Sequence, residues 1–116
     1  MTNTPQRLPV HTFHALEVSL ELIRSLREPV ASIRKQSPDL AKQLERAASS
    51  VAANVSEGNR RRGRDRGHLF RIAAGSADEV QTHLRVAEAW GYLPAPDIAR
   101  SLALTDRVLA MLHRLA

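Results

Sequence analysis

Apolar residues recur at steps of three and four through most of this chain, a spacing that gathers them on one face only if the backbone is α-helical. Phe13, Leu16, Leu20, Ile23, Leu26, Val30 and Ile33 predict a first helix over residues 12–35. Ser37-Pro38-Asp39 then offers an N-cap hydroxyl, a proline where no amide donor is needed, and an acid in the positive first turn. A second helix over 38–58 is therefore expected, carrying Leu40, Leu44, Ala47, Val51 and Val55 and ending near Gly58. Leu69, Ala73, Ser76, Val80, Leu84 and Ala87 predict a third over 64–90, its apolar face widened by Phe70, Ile72 and Ala77 and its end set by Gly91. A fourth over 96–115 has Ile98, Leu102, Leu109 and Leu112 on one stripe and Leu104, Val108, Met111 and Leu115 on another. No segment shows sustained strand alternation.

Four helices of some 20 residues with short connections make an all-α, antiparallel up-down-up-down four-helix bundle. At 116 residues there is length for one domain. Residues 1–11, with two prolines, are expected to form a flexible arm, and 12–116 the bundle. Aromatic residues are only 3% of the chain, so the core must be built from Leu, Ile, Val and Ala. The second stripe of the last helix exceeds what one bundle interior needs. Phe70, Ile72, Leu104, Val108, Met111 and Leu115 are accordingly expected at an oligomer interface.

The charge is local. Five arginines and one aspartate within 60–66 contribute +4 of the formal +5, leaving 12 basic against 11 acidic residues elsewhere. Arg60, Arg61, Arg62, Arg64 and Arg66 present planar forks on a glycine-punctuated segment, suited to phosphate oxygens. The plainer alternative is a solvated loop whose arginines bridge to a neighbouring subunit. No aromatic residue lies inside the segment to stack on bases, which disfavours sequence-specific single-strand reading. The glycine spacing imitates a phosphate-binding loop, but Arg64 stands where the lysine belongs, Asp65 replaces the metal-binding hydroxyl, and a helix precedes it.

Asn54 and Glu57, three apart, project from one side of the second helix; they either hold a ligand or the arginine loop, or satisfy contacts within the fold. Neither they nor Ser49, Ser50, Ser56 and Ser76 make a catalytic constellation, so no enzymatic activity is expected. His11 and His14 lack a third ligand at suitable spacing, and no metal or cofactor is expected. Cysteine is absent, which excludes disulfides and thiolate chemistry. The opening residues lack the apolar core of a signal peptide, and no apolar run approaches membrane-spanning length, so a cytoplasmic protein is expected.

Three stretches carry a resemblance: Arg46-Ala47-Ala48-Ser49-Ser50-Val51-Ala52-Ala53-Asn54-Val55-Ser56-Glu57-Gly58, then Phe70-Arg71-Ile72-Ala73-Ala74-Gly75-Ser76-Ala77-Asp78-Glu79-Val80, then Trp90-Gly91-Tyr92-Leu93. Together they resemble the bacterial family named for proteins encoded in intervening sequences of 23S ribosomal RNA genes, itself similar to the accessory variability protein of diversity-generating retroelements. Asn54, Glu57, Gly58, Gly75 and Ser76 are the motif positions. The resemblance implies a bundle assembling into a homopentameric ring, RNA or DNA as a partner, and a protein partner such as a reverse transcriptase. The chain departs from the family pattern at Val55-Ser56 and at Pro94. The expected function is nucleic-acid backbone binding by the arginine loop of a non-enzymatic oligomer; the alternative is a structural or protein-interaction scaffold.

Overall fold

A computed structural model describes residues 10–115, with side chains from His14 onward. It contains five α-helices, α1 (Val10–Ser25), α2 (Arg27–Gln36), α3 (Pro38–Asn59), α4 (Gly63–Ala89) and α5 (Ala99–Leu115), with a 3-10 turn (Ala95–Ile98) before α5. There is no strand among the described residues. The arm expected over 1–11 lies outside them, apart from Val10 and His11, which fall within α1.

The first helix expected over 12–35 is two helices. Pro29 has no N–H, so it cannot reach the Ser25 carbonyl four residues back, and its ring crowds that carbonyl. The chain turns at Leu26, whose amide is shared between the Leu22 and Ile23 carbonyls at 3.1 and 3.0 Å. The hydroxyl of Ser101 on α5 donates to the released Ser25 carbonyl at 3.3 Å, and the Ser25 and Ser101 hydroxyls lie 2.8 Å apart. A cross-helix contact thus takes over where the proline removed an intrahelical one.

The other boundaries follow local chemistry. The Ser37 hydroxyl accepts the Leu40 amide at 3.2 Å, with Pro38 in the first helical position, which starts α3 cleanly. Gly91, at φ +80°, stops α4. Its amide bonds to the Glu88 carbonyl and that of Tyr92 to Ala87, a Schellman motif that satisfies two terminal carbonyls.

Helices α3 and α4 run antiparallel: Ser50 meets Ser76 at 2.8 Å, while further along α3 Gly58 meets the earlier residue Phe70. α1 and α5 are antiparallel by the same reasoning, from Ser25–Ser101 and from His14–Arg107 at 3.2 Å. α1 packs on α3 and α5, α2 on α3, and α4 on α3 and α5. The enclosed core is aliphatic, with Leu22, Ile33, Leu44, Val51, Val80, Leu84 and Leu112 fully buried around one aromatic ring, Phe70. No described helix is long and apolar enough to cross a membrane.

Two expected faces are rotated. Ala15, Val18 and Leu22 form the buried line of α1, leaving Leu16, Leu20 and Ile23 half-buried. On α5 the inner stripe is Leu104, Val108, Met111 and Leu112, with Leu102 and Leu109 half-buried. Phe70, Leu104, Val108 and Met111 therefore fill the bundle interior and are not a surface for another subunit. Of the six expected interface residues, Leu115 is half-buried and only Ile72 is exposed. The apolar width of α5 is consumed within the chain because that helix is wedged between α1 and α4.

Candidate nucleic-acid interface

The arginine segment is tighter than a glycine-rich loop. α3 continues through Gly58 to Asn59, and only residues 60–62 are non-helical before α4 begins at Gly63. The amides of Arg60 and Arg61 close onto the Glu57 and Gly58 carbonyls at 3.1 Å each. Gly63, at φ +59°, then reverses the chain in a region that side-chain-bearing residues rarely adopt. Arg64 and Arg66 consequently sit on the first turn of α4, next to Asp65.

Gly58 anchors this turn. It is buried, has ordinary helical backbone, and lies so close to α4 that a Cβ there would meet the Phe70 ring at 2.8 Å. The guanidinium of Arg66 sits over the other end of this contact, 4.9 Å from the Phe70 ring centre, a cation–π distance. Arg66 is thereby held by the core ring, not splayed into solvent.

Glu57 pairs with the arginines beside it. Its carboxylate accepts Arg61 Nε at 3.1 Å and Nη2 at 2.6 Å, and Arg60 Nη2 at 3.3 Å. The Arg61 hydrogen bonds foremost, then its charge, then Arg60, hold the Glu57 carboxyl below its usual range. Arg61 also approaches Asp65 at 3.9 Å. The five arginines against Glu57 and Asp65 leave a formal +3 on the turn. Arg62 and Arg64 are exposed and make no ion pair or hydrogen bond among the described residues.

The start of α4 adds a second attraction for anions. Arg62 occupies its N-cap position with no side-chain hydrogen bond to the helix, so the first amides of α4 lack a side-chain acceptor. Only Asp65 opposes the positive end of the helix dipole there, while Arg62, Arg64 and Arg66 reinforce it. A phosphate at this point would meet guanidinium forks and open amide donors together.

Asn54 is half-buried and bonds within its own helix, donating to the Ser50 carbonyl at 2.9 Å and hydroxyl at 3.0 Å. It steadies Ser50, which makes the cross-helix bond to buried Ser76. Gly58 and Ser76 thus act at the α3–α4 seam and Glu57 at the arginine turn, whereas Gly75 faces outward with open space at its Cβ position. No three His, Asp or Glu side chains converge as a metal site among the described residues. Sequence reasoning named Trp90 only within a family motif and gave it no role, though it is exposed and stacked on Tyr92 with ring centres 6.5 Å apart, and it missed the capless start of α4. Periodicity gave no signal for Trp90, since a residue three after the buried Ala87 shares its helix face; the missing cap becomes visible only once α4 is known to start at Gly63.

These features define a compact all-helical protein with a short cationic turn between α3 and α4. The chain belongs to the 23S rRNA-intervening sequence protein family, whose model matches residues 14–114. It is also similar to a solved structure from Bacteroides thetaiotaomicron VPI-5482, a protein of unknown function from the S23 ribosomal protein family. The two are 18% identical with a TM-score of 0.79, covering 90% of this chain and 96% of that one. That likeness extends to the fold. Among curated proteins none matches the chain.

Proposed function

We propose that this chain is a non-enzymatic, cytoplasmic nucleic-acid-binding protein that contacts phosphate backbone through the α3–α4 turn. The supporting observation is the pair of unpartnered arginines, Arg62 and Arg64, at the capless start of α4 on a turn of formal charge +3. The family's name, for proteins encoded within 23S ribosomal RNA genes, is consistent with an RNA or DNA partner but assigns none. In this reading α1 and α2 count as one kinked member of an up-down-up-down four-helix bundle.

The bundle acts as a homo-oligomer, with five subunits by family resemblance. Its contact surface is the outer face of α4, along which Ile72, Gly75 and Val86 are exposed, with exposed Trp90 at the helix end. Several copies of the turn would then engage one polyanion, and a protein partner such as a reverse transcriptase could share it. Binding of unrelated RNA and DNA over a range of salt concentrations is the test. Log affinity should fall linearly with log salt, by about 0.7 to 0.9 per phosphate neutralised. Absence of salt-dependent binding would favour the scaffold reading.

A further inference from the structure

The break between α1 and α2 opens a cleft of about 780 Å³ against the start of α5. Its walls bring together Arg24 from α1, Arg27 from α2 and Arg100 from α5, with Ser32, Glu28 and Asp97. The size lies within the range of small-molecule sites, roughly 300 to 1,000 Å³. Arg100 is held only loosely, by Glu21 at 3.6 Å. Arg24, Arg27, Glu28 and Asp97 line the same space yet form no ion pair among the described residues.

We propose that this cleft binds a phosphomonoester dianion whose remainder carries hydroxyl or amino donors. Three guanidinium forks from three separate elements offer more N–H donors than a carboxylate's two oxygens can accept, whereas a phosphomonoester presents three terminal oxygens. Two unpaired carboxylates in the same walls oppose a bare polyanion and accept hydrogen bonds from the polar remainder of the ligand. The Ser32 hydroxyl makes no hydrogen bond among the described residues and can serve either part. The ligand is a free phosphorylated metabolite, such as a nucleoside monophosphate or sugar phosphate, or the 5′-phosphate end of a nucleic acid. The site does not rest on the α3–α4 turn. The cleft adjoins the start of α5, whereas the turn adjoins the start of α4, a helix of 27 residues and about 40 Å.

The test uses the full chain carrying Arg62→Ala and Arg64→Ala, so that backbone binding at the turn does not intrude. Calorimetric titration with adenosine 5′-monophosphate and glucose 6-phosphate, against adenosine and glucose, should show saturable binding of the phosphorylated members only. A trinucleotide with a 5′-phosphate, compared with its 5′-hydroxyl form, separates the two sources: binding of the mononucleotide or sugar phosphate assigns a free metabolite, and binding of the phosphorylated trinucleotide alone assigns a nucleic-acid end. Adding Arg24→Gln and Arg27→Gln, neither of which removes an ion pair, should weaken binding at least about tenfold with unchanged helicity. The proposal is overturned if no phosphomonoester binds saturably, or if that variant binds as tightly as its parent.

Discussion

Gly58 and the ring of Phe70 are in such close contact that the smallest side chain placed on Gly58 would lie 2.8 and 2.9 Å from two ring carbons. Backbone conformation is not the reason for glycine here, since Gly58 is helical with negative φ. The reason is the distance between α3 and α4 just below the arginine turn. Phe70 is fully buried and cannot swing away. Gly58→Ala is expected to destabilise the fold by about 1 to 3 kcal/mol through overpacking, read as a lowered midpoint in urea denaturation. A midpoint unchanged within error would mean that the two helices separate freely at this end.

The five arginines are not equivalent. Arg60 and Arg61 share Glu57, and Arg66 lies over Phe70, so Arg62 and Arg64 carry the uncommitted charge. Arg62→Ala with Arg64→Ala should lower affinity for any RNA or DNA and reduce the salt slope by about 1.4 to 1.8 if each contacts one phosphate. Arg60→Ala with Arg61→Ala should have the smaller effect, because Glu57 already engages both guanidiniums and offsets part of their charge. Equal losses from the two pairs would show that Glu57 releases its partners on binding.

Glu57→Gln leaves the backbone alone and removes the counter-charge from Arg60 and Arg61. Polyanion binding near neutral pH should tighten. Stability moves the other way. The carboxyl is held below its ordinary value, so its stabilising contribution is present above the unfolded-state value near pH 4.5 and is lost as pH falls through the lowered folded value. Urea midpoints of parent and variant should differ at neutral pH and converge in acid below that window. A difference that grew on acidification would reverse the assigned sign.

Gly75 separates the monomer from the assembly. It lies in the interior of α4, exposed, with nothing near its Cβ position. In an isolated chain Gly75→Ala should stabilise by about 0.4 to 1 kcal/mol, since alanine fits the helix and restricts the unfolded state. If another subunit approaches α4 closely there, the same change should instead shift the mass measured by light scattering toward the monomer. Ile72→Asp, on the same exposed face, should do so more strongly. A parent that is monomeric at micromolar concentration would remove the oligomer from the proposed function.

Much of the fold was legible because local signals agreed: Ser37-Pro38 starts α3, Gly91 ends α4, and stripes of period near 3.6 name the helices. Pro29 was equally visible, but a continuous apolar stripe across it concealed the break. Periodicity gives the width of an apolar face, not which part points inward. The wide face of α5 therefore suggested an interface where the structure has core, as at Val108 and Met111. The arginines were conspicuous from composition alone. Their division into tethered and uncommitted members depends on Glu57 and Phe70, which pack from different helices.

With only residues 60–62 between α3 and α4, and Gly58 seated against Phe70 beneath them, the cationic turn is a solid corner of the molecule. Its arginine-bearing backbone has little freedom left to surrender when an anion arrives. Association should therefore proceed as docking of a preformed shape, with a small heat-capacity change, unlike arginine-rich segments that fold as they bind. Lengthening this corner by a few glycines would keep every charge yet forfeit that preorganisation.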